Sequence, residues 1–267
     1  MDYFIEDSPL GTGGSVKNAE HFLDTTFIVV SGDAFTNMDI QKAVEFHREK
    51  GSKATLVLKR EKIPLEYGVI IMDKNNRITR FLEKPSWGEV FSDTINTGIY
   101  ILEPEVLNYY KKGERFDFSK DLFPRLLKDN VPMFGYVSED YWNDIGDINS
   151  YVKTHMDILN GDVKVNLKTK EVSEGIWIGD NTIIEGGVKI IPPVYIGNNC
   201  TIKRGTVLNS YTVIGDNSYI EEDCSLKRTI AWNSVYLSKG LEARKSIICD
   251  YVQTKENVKL YEGSVIG

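Results

Sequence analysis

Three cysteines and three histidines in 267 residues leave little material for sulfur or imidazole chemistry. Cys200, Cys224 and Cys249 are too few and too irregularly placed for a disulfide framework or a zinc site. His21 belongs to no motif, and His47 and His155 fall on apolar helical stripes, as core or boundary residues do. No apolar run approaches the ~20 residues that cross a bilayer, and no basic segment followed by an apolar one opens the chain. Acidic residues outnumber basic ones, 39 to 32, for a formal charge of −7, which is not the balance of a nucleic-acid binder. Neither nucleic acid nor membrane is therefore an expected partner, and the expected compartment is the cytoplasm, with reduced thiols. What is present is ordinary for a folded chain, 41% apolar and 27% charged.

Residues 1–160 alternate strand-like and helix-like segments. Thr25–Val30 is a β-branched apolar run that reads as a buried strand. Asp39 caps a helix with Ile40, Ala43, Val44 and His47 on one face, closed by Gly51. Ala54–Leu58 and Thr94–Leu102 read as strands, and Val69–Met72 with Ile78–Leu82 as a hairpin around Asn75-Asn76. Glu105–Lys112 and Ser119–Lys128 read as helices, and Asp147 caps a last helix ended by Gly161. The pattern predicts an α/β domain whose mixed, Rossmann-like sheet is covered by helices.

After a polar connector over 161–175 the period changes. An aliphatic residue returns every sixth position from Ile178 through Ile184, Ile190, Ile196 and Ile202 to Leu226, with a small or β-branched residue four positions after each. Six fits neither a helix nor a sheet strand; it fits a hexapeptide parallel β-helix over 176–267. Ile178-Gly179, Ile196-Gly197 and Ile214-Gly215 repeat every eighteen residues, as three sides per coil require. Cys200 and Cys224 take the inward small-residue slot, as packing residues. Beyond Trp232 the register is expected to slip, and the chain stops in mid-repeat at Ile266-Gly267, so the natural protein is expected to continue.

Several segments carry candidate chemistry. Ser8–Ser15 is a Gly-rich turn leading into a helix at Val16–Ala19, where backbone N–H groups can approach an anion; it is not a Walker loop. Ser31-Gly32-Asp33 follows a strand, where open α/β sheets bind ligands, although alone it also reads as a turn. Tyr141–Asp147 places Asp144 at another strand end, sharing a face with Trp142. Two carboxylates from separate strands suit Mg²⁺, which accepts one or two carboxylates plus phosphates and water. Arg80–Pro85 ends a strand with Glu83 and Lys84, chemistry for sugar hydroxyls and a phosphate, or a solvated strand end. Asn96 is disfavoured inside a strand pattern, so it terminates pairing or holds a ligand, and Gly98 beside it permits close backbone approach.

Taken in order, Pro9-Leu10-Gly11-Thr12, Ser31-Gly32-Asp33, Glu66-Tyr67-Gly68-Val69, Phe81–Pro85, Asn96-Thr97-Gly98 and Trp142-x-Asp144-Ile145-Gly146 resemble the sugar-1-phosphate nucleotidyltransferases. The likeness is strongest to bacterial mannose-1-phosphate guanylyltransferases with a left-handed β-helix behind the transferase domain. The resemblance implies that Pro9, Leu10, Gly11, Thr12, Gly32 and Asp33 bind the nucleotide. It implies that Asp33 and Asp144 hold Mg²⁺ and act in catalysis with Lys84, and that Tyr67, Gly68, Glu83, Lys84, Asn96 and Thr97 hold the sugar phosphate. GTP and mannose 1-phosphate are the substrates it favours, with GDP-mannose and pyrophosphate as products. Thymidylyl or uridylyl transfer to glucose 1-phosphate is the alternative, and a non-catalytic regulatory subunit of the same architecture the second. A homo-oligomer, and a fused phosphomannomutase-like domain, are also implied.

One departure is large. The family's signature loop, Gly-x-Gly-Thr-Arg-x-x-Pro-Leu-Thr followed by Pro-Lys, supplies the basic groups that hold the triphosphate, and it is absent here. Asp2–Glu6 resembles the strand after that lobe, so roughly 80 residues are expected to be missing, against the ~30 of one βαβ unit. Little turnover is expected of the 267 residues alone. Acyl transfer on the β-helix is disfavoured, because such enzymes use a histidine there and all three histidines precede residue 176.

Overall fold

The computed structural model describes residues 2–83, 86, 92–167 and 169–267, the side chains of Glu66 and Glu83 excepted. The chain divides into two compact units, Met1–Ile145 and Gly146–Gly267.

In the first unit the elements are α1 (Gly11–Asn18), β1 (Phe27–Val30), β2 (Ala34–Thr36), α2 (Ile40–Lys50), β3 (Ala54–Arg60), β4 (Gly68–Met72), β5 (Ile78–Glu83), β6 (Thr94–Leu102), α3 (Phe123–Lys128), β7 (Met133–Val137) and β8 (Trp142–Asp144). The main sheet runs β5-β4-β6-β3-β7, with β1 beside β6, while β2 and β8 form a separate ribbon. β3 pairs with β7 in parallel and with β6 antiparallel, so the sheet is mixed, as expected. Ala54 to Leu58 are wholly buried, because both faces of β3 are covered. Leu56, Leu58, Tyr100 and Leu102 pack against Phe116, Phe118 and Phe123 on one face. Val57, Ile99 and Ile101 meet Ala43 of α2 on the other, as alternation along a strand dictates. α2 begins where the Asp39 carboxylate accepts from the Gln41 amide and ends at left-handed Gly51.

Three expectations change. β1 is not buried on both faces: Phe27 is 9% exposed but Ile28 is 45% and Val30 52%, so the face that these two alternate residues share stands in solvent. The helix expected over Glu105–Lys112 is a 3₁₀ turn, Pro104–Tyr109. The helix expected over Ser119–Lys128 opens as a wide π turn, Phe118–Leu122, before α3. Pro124 has no N–H to give the Lys120 carbonyl, which removes one regular helical bond at that junction.

In the second unit α4 (Ile148–Asn160) is capped by Asp147 and closed by left-handed Gly161. Behind it stands a parallel β-solenoid. Ile178, Ile196 and Ile214 are register partners, as are Ile184, Ile202 and Ile220, and Ile190, Leu208 and Leu226. These residues point inward and stack into one apolar column. Tyr211 and Trp232 tie α4 to the coils, the Tyr211 hydroxyl donating to Asn160 at 2.9 Å and the Trp232 indole to Tyr151 at 2.9 Å. Cys200 and Cys224 are buried in the column, and burial pushes the Cys224 thiol up to about 11. They are packing residues, as their slot predicts.

The register slip comes earlier than Trp232. Leu208 pairs with Leu226 eighteen residues on, but Val213 pairs with Ile230 only seventeen on. The side after Leu226 is one residue short, and so is the side between Ala243 and Ile248, since Ala231 pairs with Ile248 seventeen residues on. Arg228 and Lys245 sit at these two tight corners with φ of 50° and 47°. Among the described residues no helix is long and apolar enough to cross a membrane.

The eighteen-residue glycines have a steric cause. A Cβ on Gly197 would lie 2.3 Å from the Asp216 carboxylate oxygen and 2.7 Å from the Asp216 amide nitrogen of the next coil. The same corner is laced by side chains, with the Asn198 amide donating to Asp216 at 2.7 Å and the Asp216 amide to Asn233 at 2.9 Å. Gly197→Ala is expected to destabilise the second unit by about 1–3 kcal/mol through overpacking. Gly186→Ala, at a corner with nothing within 4 Å, is the control and is expected to be near neutral. Urea unfolding of the two variants checks this.

Candidate active site

The site is organised by an irregularity in β6. Between the pairs Leu56↔Tyr100 and Leu58↔Asn96, β3 spends one residue where β6 spends three, so β6 bulges at Thr97, Gly98 and Ile99. The bulge is held from within. The Thr97 hydroxyl donates to the Val57 carbonyl at 2.7 Å, and the Gly98 amide donates to the Asn96 side-chain oxygen at 3.2 Å. The Asn96 amide group donates to the Tyr100 hydroxyl at 2.9 Å and to Ser119 at 3.4 Å. Gly98 is left-handed, with φ of 76°.

Into this bulge fits the turn that ends β1. The Ser31 amide donates to the Gly98 carbonyl at 3.0 Å, and the Ala34 amide closes the turn on Ser31 at 3.2 Å. A Cβ on residue 98 would stand 2.9 Å from the Ser31 Cβ, so close approach here requires glycine. The turn presents Gly32 and Asp33 outward. A Cβ on Gly32 would meet nothing within 4 Å, so its backbone faces open space. Asp33 is exposed, and the Ser31 hydroxyl donates to one of its oxygens at 2.5 Å.

β2 then carries the chain along β8, with Ala34 opposite Asp144 and Thr36 opposite Trp142. The Ile145 amide donates to the Asp33 carbonyl at 2.9 Å, which makes the two aspartates neighbours in the backbone of one ribbon end. Asp33 lies in the turn and not in the strand, so strand parity does not send its side chain away from Asp144. Asp144 is half-buried and shares its face with Trp142, two residues back. The Trp142 indole donates to the Thr97 carbonyl at 3.1 Å and packs edge-on against Tyr67, with ring centroids 5.7 Å apart. Gly68, next to Tyr67, is buried in β4 opposite Glu83 of β5. Lys84 lies outside the described residues.

Other expected site residues are placed differently. The Gly-rich segment is not a loop before a helix but the helix α1 itself. The Gly13 and Gly14 amides donate to the Phe116 carbonyl at 2.9 and 3.0 Å, so they are not available to an anion. Their smallness serves backbone packing: a Cβ on Gly14 would lie 2.6 Å from the Glu114 carbonyl oxygen. Leu10 is half-buried and accepts from the Phe116 amide at 2.8 Å, whereas Pro9 is exposed. The Thr12 hydroxyl donates to Asp117 at 3.0 Å, and Asp117 caps the turn that carries Ser119, the partner of Asn96. Thr97 is only 2% exposed and its hydroxyl is spent inside the bulge, so it holds the site's frame.

Ser31, Trp142, Asp117 and Ser119 also form the site, through contacts that their local sequence announces only in part. Ser31 and Trp142 stood inside quoted motifs, and Asp117 two residues before Ser119 is an N-cap pattern that could have been found. His47 is a core residue, flanked by the Thr55 hydroxyl at 2.9 Å and Glu103 at 3.1 Å. Among the described residues no group of three or more His, Cys, Asp and Glu is arranged to hold a metal. The Asp33–Asp144 pair offers hard oxygen donors, which fits a small divalent ion that keeps its own waters.

Gly98→Ala is expected to cost about 1–3 kcal/mol, from positive φ and from the clash with Ser31. Adding Ser31→Gly removes the clash and is expected to restore part of that loss. Urea unfolding of the single and double variants checks it.

Comparison with known proteins gives the family of each part of the chain. The family described as nucleotidyl transferase matches residues 1–161, and that described as bacterial transferase hexapeptide (six repeats) matches 175–210. The chain is 35% identical over 238 residues to a UTP–glucose-1-phosphate uridylyltransferase of Synechocystis, covering 80% of this chain and 61% of that protein. It is 30% identical over 230 residues to a mannose-1-phosphate guanylyltransferase of Mycobacterium tuberculosis, covering 85% and 63%. It is 30% identical over 254 residues to a glucose-1-phosphate adenylyltransferase of Clostridioides difficile, covering 89% and 60%. The chain thus spans about three fifths of the length of these relatives.

Proposed function

The chain belongs to the nucleotidyl transferase family, and from that footing we propose that its site serves transfer of a nucleotidyl group from a nucleoside triphosphate to a sugar 1-phosphate. The observation that carries this reading is the seating of the Asp33 turn beside Asp144, on a ribbon whose Trp142 face meets Tyr67. In the reaction a phosphate oxygen of the sugar 1-phosphate attacks the α-phosphorus. The bond from that phosphorus to the α,β-bridging oxygen breaks, and pyrophosphate leaves with the electron pair.

Such transfers depend on positioning and charge neutralisation more than on a protein nucleophile. Asp33 and Asp144 are the residues that would hold Mg²⁺, which when bound supplies neutralisation of phosphate charge. The Ser31 hydroxyl fixes one Asp33 oxygen, and the open backbone at Gly32 leaves room for the nucleotide. Pro9, Leu10, Gly11 and Thr12 border the base through the Asp117 turn. The Tyr67–Trp142 edge gives the sugar ring an apolar wall, and Gly68 adds a backbone contact. Asn96 addresses a ring hydroxyl, Glu83 the other sugar hydroxyls, and Lys84 the sugar phosphate as a point charge.

GTP with mannose 1-phosphate is the pairing we favour. UTP with glucose 1-phosphate is the second, and the higher identity of the uridylyltransferase relative speaks for it. Base and epimer choice rest on a few hydrogen bonds, so both pairings belong in one assay.

Pyrophosphate release by the protein, with a panel of triphosphates and sugar 1-phosphates, tests the reading. Asp33→Asn and Asp144→Asn are each expected to lower turnover on the order of 100-fold or more, as loss of a preorganised electrostatic group does. The far-ultraviolet spectrum of either variant is expected to stay unchanged. Release that survives both substitutions, or no release with any pairing, counts against the proposal.

A further inference from the structure

The two shortened corners of the solenoid create a feature that nucleotidyl transfer does not use. A groove of about 830 Å³ opens along that edge, lined among others by Lys227, Arg228, Arg244, Lys245, Tyr261 and Glu262. Lys227 and Arg244 are register partners on adjacent parallel strands, so their backbones stand ~4.8 Å apart. Both side chains are exposed on the same outer face. Arg228 and Lys245 follow them at the tight corners, where the Lys245 amide donates to the Lys227 carbonyl at 3.0 Å. Like charges directly opposite on paired strands are destabilising.

Neutralisation is scant. Lys245 is paired with Glu262. Arg228 lies over the Tyr211 ring, 5.9 Å from its centroid, and so has an aromatic neighbour in place of an acid. Lys227 and Arg244 have no acidic partner among the described residues. Elsewhere on the coils Lys203 is matched with Glu185, Lys259 with Glu242, and Lys239 with Glu222 and Asp223, while Lys189 and Lys255, unmatched among the described residues, do not stand in this groove. In a chain of net charge −7, four cations against one carboxylate in a single groove are a local excess.

We propose that this groove binds a small anion carrying two or more linked phosphates. The stacked cations repeat along the solenoid axis at the strand spacing, which offers adjacent phosphates a charge each. Tyr261, 67% exposed at the groove wall, gives a flat apolar surface beside them. The site lies wholly on the second unit and does not rest on the reading of the first.

Isothermal titration of the chain with inorganic pyrophosphate, in EDTA at low ionic strength, tests it. One pyrophosphate per chain is expected, with inorganic phosphate and sulfate at least tenfold weaker. Lys227→Gln and Arg244→Gln are each expected to weaken binding at least tenfold, Arg244→Lys less, and Asp33→Asn not at all. Tighter binding of GDP than of pyrophosphate supports a nucleoside ligand with its base on Tyr261; equal binding supports the inorganic anion. Without ligand, the Tm of Lys227→Gln is expected to equal or exceed that of the parent, because a repulsion is relieved. Absent binding, binding indifferent to Lys227→Gln and Arg244→Gln, or equal competition by sulfate overturns the proposal. So does loss of binding accompanied by a fall in Tm, which would make Lys227 a residue that holds the coil.

Discussion

The Ser31 amide donates to the Gly98 carbonyl at 3.0 Å across a gap that only a glycine hydrogen leaves open. That contact locks the end of β1 into the bulge of β6, and the other site residues take their places from it. Asp33 is two residues downstream and is anchored again where the Ile145 amide meets its carbonyl. Trp142 reaches back to the Thr97 carbonyl of the same bulge. Asn96 connects the bulge to Ser119, and Asp117 connects that turn to Thr12. The result is one hydrogen-bonded string from the Gly-rich helix to the two aspartates, built on backbone irregularities and not on a run of ordinary strand. Irregular backbone at a sheet's centre weakens the ladder locally; here the Thr97 and Asn96 side chains replace the bonds that the ladder gives up.

The second unit obeys a different constraint. Each coil buries its aliphatic residues only against its neighbours, so stacking distance governs composition. Glycine stands where the next coil's backbone passes within Cβ range, and asparagines at positions 181, 199 and 217 take the left-handed corner conformation. Where a side loses one residue, the corner is taken by Arg228 and Lys245, and charge gathers on one edge. Geometry inside the column and electrostatics outside it are thus two consequences of the same shortened repeat.

Much of this was legible in the residues. The six-residue period gave the solenoid and its inward column, and Asp39 with Gly51 and Asp147 with Gly161 marked their helices correctly. The pairing of Gly98 with a disfavoured Asn96 pointed to a close backbone approach, which the Ser31 turn makes. What stayed hidden depends on distant partners. Nothing near Gly13 and Gly14 says that the Phe116 carbonyl will take their amides, so a glycine run that serves packing reads like an anion loop. The exposure of Ile28 and Val30 follows from one uncovered strand face, and what covers a face depends on elements distant in sequence. The five-residue side after Leu226 was missed because Ile230 fits the six-residue rule equally well, one position out of phase.

On the proposed reading Asp33 and Asp144, 111 residues apart in sequence and joined where the Ile145 amide meets the Asp33 carbonyl, share a single divalent ion. Mn²⁺ binding followed by electron paramagnetic resonance, in the parent chain, in each Asn variant and in the double variant, addresses it most directly. Sharing requires that either substitution alone remove the same site and that the second remove nothing more. Losses that add, as from two separate ions, or an undiminished site in either single variant, would contradict it.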